Sequence, residues 1–382
     1  FDDVATDKVS LIALGNSDFE MIQEILAAAT LLNQSGAPDD VTISAVISQE
    51  QNLDAARIAG GKRVEPLFFE KVISRIFAQT CRQAGLSAVY QELFDFEGDE
   101  IYMEKAPALV GLPFASLPLY YRKASVMGLK RDGRVWLNPS PDEPFAQGDE
   151  VILIAADNGV ATPAAQPAPV EQRLIHLRPA VPAGAEHVLV LGQNSLTDDI
   201  IREISLYAAP GSTLTVASAQ AVPAQTDAGA LHVRTVQADV HRREVLDALL
   251  ADAPDCIIVL SETGDGDADA RTLTLLLQLS HYYRDNARPP MVISEMLSKK
   301  NQELASVARV NDFVIGTNLA SLILTQVSQN RLLAPLFDEL LTDEGSEIYI
   351  KPASLFVHID TPVPLYTLAA ATAAAGQPLL GL

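Results

Sequence analysis

Short apolar runs rich in β-branched residues alternate along the chain with segments whose apolar positions recur every three or four residues. That pattern predicts strands of a mostly parallel sheet joined by helices, an α/β fold. VSLIAL (9–14) reads as a strand, and Phe19–Leu32 as a helix with Phe19, Ile22, Ile25, Leu26, Ala29 and Leu32 on one face. VTISAVIS (41–48) is a second strand, Asn52–Ala59 a short helix, and Leu67–Phe94 a long helical stretch broken at Gly85. Beyond residue 100 the pieces are short and β-rich: EIYM, ASVMGL near 124–129, RVWLNP (134–139) and VILIA (151–155), entered through Gly148-Asp149. They predict a small, mainly antiparallel lobe.

Residues 159–185 hold Pro163, Pro167, Pro169, Pro179 and Pro182 among Ala and Gln without periodicity, the composition of a linker. Then the pattern restarts. HVLVLG (187–192), TLTVAS (213–218), CIIVLS (256–261) and MVISEM (291–296) read as strands. Asp198–Ala208, Arg242–Leu250, Ala270–Tyr283, Gln302–Val307 and Asn318–Leu341 read as helices, and IYIK (348–351) as the opening of another β lobe.

The restart is a repeat. Residues 79–102 read QTCRQAGLSAVYQELFDFEGDEIY, and 326–349, a constant 247 positions later, read QVSQNRLLAPLFDELLTDEGSEIY. Shared residues that dense at one offset identify a duplication. The copies differ in content: strands 187–192 and 213–218 have no counterpart in copy one, which starts at the equivalent of 256–261 and looks clipped there. Copy two likewise looks clipped before an RVWLNP…GDEVILIA ending. The expected organisation is a first unit at 1–158, a linker at 159–185 and a second unit at 186–382. Within them, Rossmann-like parts fall at 1–66 and 186–316, crossover helices at 67–96 and 317–342, and β lobes at 97–158 and 343–382.

Charge narrows the function. Forty-nine acidic against 27 basic residues give a net charge of −22, which argues against a nucleic-acid partner and suits a surface that attracts cations. Cys81 and Cys256 are the only cysteines, and neither has a second one at metal or redox spacing, so they read as reduced, buried thiols. The long uncharged stretch at 361–382 is interrupted by Pro362, Pro364, Gly376 and Pro378 and is a poor membrane span.

Two Rossmann-like halves, each followed by a crossover helix pair and a small β lobe, resemble the tandem RCK (TrkA-like) domains that regulate potassium channels and transporters. More closely, ISEMLSKKNQELASVARVNDFVIGTNLASLILTQVSQNRLLAPLFDELLTDEGSEIYI (293–350) and RVWLNPSPDEPFAQGDEVILIA (134–155) are similar to segments of the CASTOR/POLLUX ion channels. The resemblance implies a cytoplasmic gating-ring module on the soluble side of a membrane channel, controlling monovalent cation flux, potassium above all, in response to a bound ion such as Ca²⁺. It also implies a homo-oligomer, a tetramer with eight units in a ring, assembled through the crossover helices and joined to a pore-forming transmembrane segment. No enzyme activity is expected. The rival readings are a soluble Rossmann-type nucleotide-binding protein or oxidoreductase, and a binding protein without a pore that carries the same module.

The candidate chemistry is sparse. Gly192 ends the first strand of copy two, where a dinucleotide fingerprint would begin, but GQNSLTDDII keeps one of its three glycines and places Asp198 and Asp199 at the helix start. NAD is therefore not expected as a cofactor. Glu262, Asp265, Asp267 and Asp269 follow a strand end with the alternating carboxylates of a hard-cation loop, although no complete EF-hand frame is present, and Asp269 suits an N-cap equally. Glu97 and Glu100, with Glu344 and Glu347, flank Gly98 and Gly345 at the helix-to-lobe junctions, either as helix C-termini or as hinge carboxylates for a cation. Asp265, Asp267, Asp269, Glu344 and Glu347 are the metal-ligand candidates. Leu86, Val89, Tyr90 and Phe94, with Leu333, Leu336, Phe337 and Leu340, form apolar stripes that serve as core or as a subunit interface. No hydrolase, zinc-protease or P-loop motif occurs.

Overall fold

The computed structural model describes residues 10–13, 15, 17–38, 41–95, 98–157, 159, 161–179, 184–220, 227–262, 268–305, 310–342 and 345–382. Two compact units emerge, Phe1–Val89 with Ala183–Ala334, and Tyr90–Pro182 with Pro335–Leu382. Each draws on both copies, so compactness groups like part with like part across the repeat.

The first unit holds two parallel sheets. Copy one supplies β1 (Ser10–Ala13), β2 (Thr42–Ile47) and β3 (Val64–Phe68) in the order β1-β2-β3. Between them run α1 (Asp18–Gln34) and α2 (Leu53–Gly60). Copy two supplies six strands: β8 (His187–Leu191), β9 (Thr213–Ser218), β10 (His232–Gln237), β11 (Cys256–Val259), β12 (Met291–Glu295) and β13 (Asp312–Val314). Their order, β10-β9-β8-β11-β12-β13 with every pairing parallel, is the doubly wound arrangement whose order reverses between β8 and β11. The connecting helices are α5 (Thr197–Tyr207), α6 (Arg243–Leu250), α7 (Ala268–Tyr282) and α8 (Lys299–Ala305). Ile257, Val259, Leu189, Leu191, Leu275 and Met296 meet in the core of this half.

Helix α1 is phased differently from the periodicity reading. Met21, Ile25 and Ala29 face the sheet, whereas Phe19 is 77% exposed and Leu26 also points outward. The apolar residues of α1 run round most of its circumference, and the sheet takes the smaller ones. Strand β3 ends at Phe68, so Leu67 and Phe68 close a strand instead of opening the helix expected from Leu67, the apolar run continuing through Phe69 without a break.

The crossover helices divide as the glycine break predicts. Helix α3 (Phe69–Thr80) ends at Cys81, α4 (Leu86–Phe94) begins after Gly85, and Gly85 sits at φ +87, a left-handed conformation that costs glycine little. Copy two repeats this with α9 (Gly316–Gln329) and α10 (Leu333–Leu341), separated at Asn330. Helix α3 lies against α5 of copy two, with the buried Arg75–Glu203 pair at 3.7 Å and Ser195 Oγ donating to Glu70 Oε1 at 2.8 Å.

The second unit is built on the antiparallel sheet β4-β7-β5-β6: β4 (Glu100–Lys105), β7 (Glu150–Ala155), β5 (Ala124–Arg131) and β6 (Arg134–Leu137). Copy two's lobe differs from the β lobe expected at 343–382. Ile348–Lys351 form no strand, and the described residues there hold a short 3-10 turn and α11 (Leu365–Ala374), made from the Thr/Ala-rich stretch. The proline-rich segment is laid along this unit: Ala164 N and Ala168 N donate to Tyr120 O and Leu119 O, and His176 N to Phe356 O at 2.8 Å. Proline removes donors without removing acceptors, so such a segment can still be tied down by its remaining amides.

Asp149, from the Gly148-Asp149 entry to β7, is buried and receives Arg131 Nε at 3.0 Å and Arg131 Nη2 at 2.8 Å. The Arg131 guanidinium holds its carboxyl below the ordinary 3.8, against the opposing effect of burial. A depressed folded-state pKa gives stability that is complete above the unfolded value and lost as pH falls through the folded one. Asp149→Asn should therefore lower the urea midpoint at pH 7, and the gap to wild type should close below about pH 4.

Candidate functional site

Open α/β sheets bind ligands outside the carboxyl ends of their strands at the point where strand order reverses, here between β8 and β11. Gly192 leaves β8 at φ +92 with its amide donating to Ala217 O at 2.8 Å. A Cβ on it would stand 2.5 Å from Leu260 O, so this glycine lets two strand ends approach one another rather than admitting a pyrophosphate. Gly192→Ala should cost about 2 kcal/mol or more, read as a lower denaturant midpoint.

Asn194 organises the following loop. Its Nδ2 donates to Ser261 O at 3.0 Å and Glu295 Oε2 at 2.7 Å, and its Oδ1 accepts from Leu196 N at 3.0 Å. Glu295, at the end of β12, also accepts from Ser261 N at 2.8 Å. Burial pushes this carboxyl above its ordinary range, aided by the nearby Asp269 charge and opposed by the Ser261 and Asn194 bonds. Ser218 Oγ, at the end of β9, donates to Glu262 Oε1, and Arg271 approaches the same carboxylate at 3.6 Å. Burial, with the Arg271 charge, pushes His241 below its ordinary value, which favours the neutral imidazole near pH 7. Gly192, His241, Glu262 and Arg271 line a crevice with an empty volume of 270 Å³. The buried Gln193 Oε1 and Ser261 Oγ have no hydrogen-bond partner. Such a site offers acceptors, a hydroxyl and one guanidinium, a setting for a small polar ligand or a hydrated cation rather than for a diphosphate. At the start of α5, Asp198 and Asp199 add negative charge, and Asp199 pairs with Arg202 at 2.6 Å.

The metal-ligand candidates fall in different places. Asp265, Asp267 and Glu344 lie outside the described residues, as does Glu97. Asp269 is buried in the first turn of α7, where it accepts from Leu297 N at 2.8 Å, Ser298 N at 3.1 Å and Asn301 Nδ2 at 2.6 Å. It is a clamp that fixes the loop after β12, rather than a cap of its own helix. Copy one contains the same clamp: Asp18 in the first turn of α1 accepts from Ser48 N at 2.8 Å, Gln49 N at 3.0 Å and Asn52 Nδ2 at 2.8 Å. Glu347 accepts from Tyr349 Oη, and Glu100 from Tyr102 Oη at 2.9 Å. The repeated E-x-Y of the duplication is thus a carboxylate–phenol pair. Among the described residues, no group of three or more His, Cys, Asp and Glu side chains is placed to hold a metal ion.

Sequence reasoning missed Glu295, Asn194 and Asp312. Asp312 of β13 is buried and accepts from Gly85 N at 2.7 Å, Ser87 N at 3.3 Å and Ser87 Oγ, tying the turn between α3 and α4 to copy two. For Glu295 and Asp312 the only signal was an acidic residue in or beside a strand, with Glu295 also inside the ISEM run, and Asn194 offered only its place after Gly192.

Most of the apolar stripe on the crossover helices is internal, whereas Val89 is 37% exposed. Leu86, Tyr90, Phe94, Leu333, Leu336, Phe337 and Leu340 are all buried within one chain. Phe94 meets Phe337 edge-on at 4.9 Å, and Tyr90 stacks on Phe94 at 5.9 Å. Of the two roles the stripe allowed, these side chains serve as core: each copy's second crossover helix covers the other's apolar face.

Residues 70–171 match the family described as Castor and Pollux, part of voltage-gated ion channel. The chain is 27% identical over 410 residues to the probable ion channel POLLUX of Arabidopsis thaliana, covering 94% of this chain and 49% of that protein. It is 27% identical over 403 residues to the probable ion channel CASTOR of Oryza sativa subsp. japonica, covering 92% and 44%. It spans about half the length of these curated relatives. Among solved structures, the human SLO3 gating ring matches with a TM-score of 0.58 at 12% identity, covering 89% of this chain and 74% of that one. The chain is similar to CASTOR and POLLUX channels over nine-tenths of its length, and its fold, tandem Rossmann-like units of the RCK type, is like that of the human SLO3 gating ring.

Proposed function

We propose that the chain is the ligand-sensing regulatory module of an ion channel, acting at the cytoplasmic face of a membrane on a cation-conducting, potassium-type pore. The observation that carries this reading is the pairing of two repeat-related Rossmann-like parts in one compact unit, in a chain similar to ion channels over nine-tenths of its length. No helix among the described residues is long and apolar enough to cross a membrane, so a pore would have to come from other sequence. The module binds its ligand at the carboxyl ends of β8 and β11 and biases a pre-existing equilibrium that the pore senses. Ca²⁺ is the ligand class proposed, because Asp265 and Asp267 fall in sequence between Glu262, which lines this crevice, and Asp269, in a chain of net charge −22. The rival, a nicotinamide-dependent oxidoreductase, is disfavoured by the single glycine and by the acids at the start of α5.

A homo-oligomer, a tetramer of paired units, belongs to the same proposal. With the crossover stripes already covered, its support is the exposed apolar set on the neighbouring helices α1 and α2, where Phe19 is 77% and Ile58 84% exposed.

Melting curves in Ca²⁺ and in Mg²⁺ at matched ionic strength test the ligand, with screening of the net charge controlled by the match. Ca²⁺ at a hundred times its dissociation constant should add roughly 2.7 kcal/mol. Identical curves, together with micromolar NAD binding by calorimetry, would reverse the choice between the two readings. In light scattering, a 41.0 kDa particle at high concentration would count against assembly.

A further inference from the structure

We infer that Cys81 and Cys256 are a thiol pair that a peroxide converts to an intramolecular disulfide, stapling α3 of copy one to the central sheet of copy two. They are the chain's only cysteines, one from each copy, and spacing alone gave no reason to pair them. Folding brings their thiols into hydrogen-bonding contact inside the first unit. The placement has an independent basis in the packing. Cys256 opens β11 and is the register partner of Val188 in β8. Val188 in turn lines the same crevice as Cys81. The two residues are 6% and 3% exposed, so neither sulfur meets a cysteine of another molecule.

The pair is asymmetric in a way that suits stepwise oxidation. Cys81 caps the C-terminus of α3 and faces a crevice with an empty volume of 330 Å³, part of it open to solvent, which it shares with Arg82, Glu186 and Tyr207. This crevice is the route proposed for a small peroxide. Cys256 lies behind it, and burial, together with the bond to Cys81, pushes its thiol well above the ordinary value. It therefore resists direct oxidation, since the thiolate is the reactive form. In the first step the Cys81 sulfur attacks a peroxide oxygen, the O–O bond breaks, and one water leaves as Cys81 becomes a sulfenic acid. In the second, the Cys256 sulfur displaces that hydroxyl, which departs with the Cys256 proton as a second water. Two thiols and one hydrogen peroxide give one disulfide and two waters; sulfur is oxidised and peroxide reduced.

The bond would fix the helix end that leads into the turn at Gly85, beside the Asp312 anchor. In the reduced protein α3 is held there by non-covalent contacts, among them the Arg75–Glu203 pair. Oxidation makes the connection covalent, closing a long loop in the unfolded chain.

The test uses the chain as it stands. After hydrogen peroxide treatment and unfolding, the number of thiols that react with a maleimide should fall from two to none. The intact mass should drop by two hydrogens with no oxygen gained and no dimer formed, and a peptide map should show Cys81 joined to Cys256. Dithiothreitol should restore both thiols, and the oxidised form should melt about 5–10 °C higher. Cys256→Ser should stop at a sulfenic acid on Cys81 that dimedone traps; if that variant does not fold, the wild-type peptide map decides alone. Sulfinic or sulfonic acid on Cys81 with Cys256 still alkylatable, disulfides between molecules, or two unchanged thiols would overturn the inference.

Discussion

Asp312→Ala should destabilise the chain by about 3 kcal/mol or more, among the largest effects of any single substitution outside the apolar core. The carboxylate is buried and receives two amides and a hydroxyl from Gly85 and Ser87. Truncating it leaves those donors without an acceptor where water cannot replace it, and hydrogen bonds to a charged group are the stronger kind. The same bonds hold the turn between α3 and α4, so the change should also expose that turn to protease before the rest of the unit. Asp312→Asn separates the two effects: it keeps one acceptor and should recover part of the loss. A denaturant midpoint within about 0.5 kcal/mol of wild type for the alanine variant would show that the anchor is not needed.

Asp269→Ala should cost about 3 kcal/mol as well, and should do so in the presence of a chelator. Three donors converge on this carboxylate, two of them backbone amides of the loop after β12. A residue needed only as a metal ligand would give no loss in metal-free buffer, so the chelator condition distinguishes clamp from ligand. Asp18→Ala tests the generality, because the clamp in copy one has the same three donor types. Burial raises the Asp18 carboxyl, but Asn52 and the Ser48 and Gln49 amides outweigh it and leave a net depression. Its contribution should accordingly be complete at neutral pH and disappear as pH falls below about 4.

The alternation of strands and helices, the duplication and the glycine break at Gly85 were legible in the chain because each is a local pattern. The helix phase of α1 was not: with apolar residues at 19, 21, 22, 25, 26, 28 and 29, periodicity permits several faces, and packing against β1 and β2 chooses Met21 and Ile25. Copy two's β lobe failed for a related reason. IYIK resembles the strand residues of copy one, but a strand needs a partner: copy one's β4 pairs with β7, and among the described residues of 345–382 no strand takes that place. The crossover stripes were legible as apolar, but sequence shows that a face must be covered and not by what, so core and interface stayed open until Phe94 met Phe337. The site was least visible of all. Glu295, Asn194 and Asp312 act through contacts 34 to 227 positions away along the chain, and the Cys81–Cys256 contact likewise forms only when the two copies meet.

The central claim, that this chain regulates a channel, is tested most directly by recording currents in planar bilayers from the full-length protein that carries it. A cation current whose open probability changes severalfold with Ca²⁺, and whose response is lost when Phe19→Asp and Ile58→Asp disrupt the exposed faces of α1 and α2, is the expected result. A protein that conducts nothing, or a current indifferent both to Ca²⁺ and to those substitutions, would contradict it.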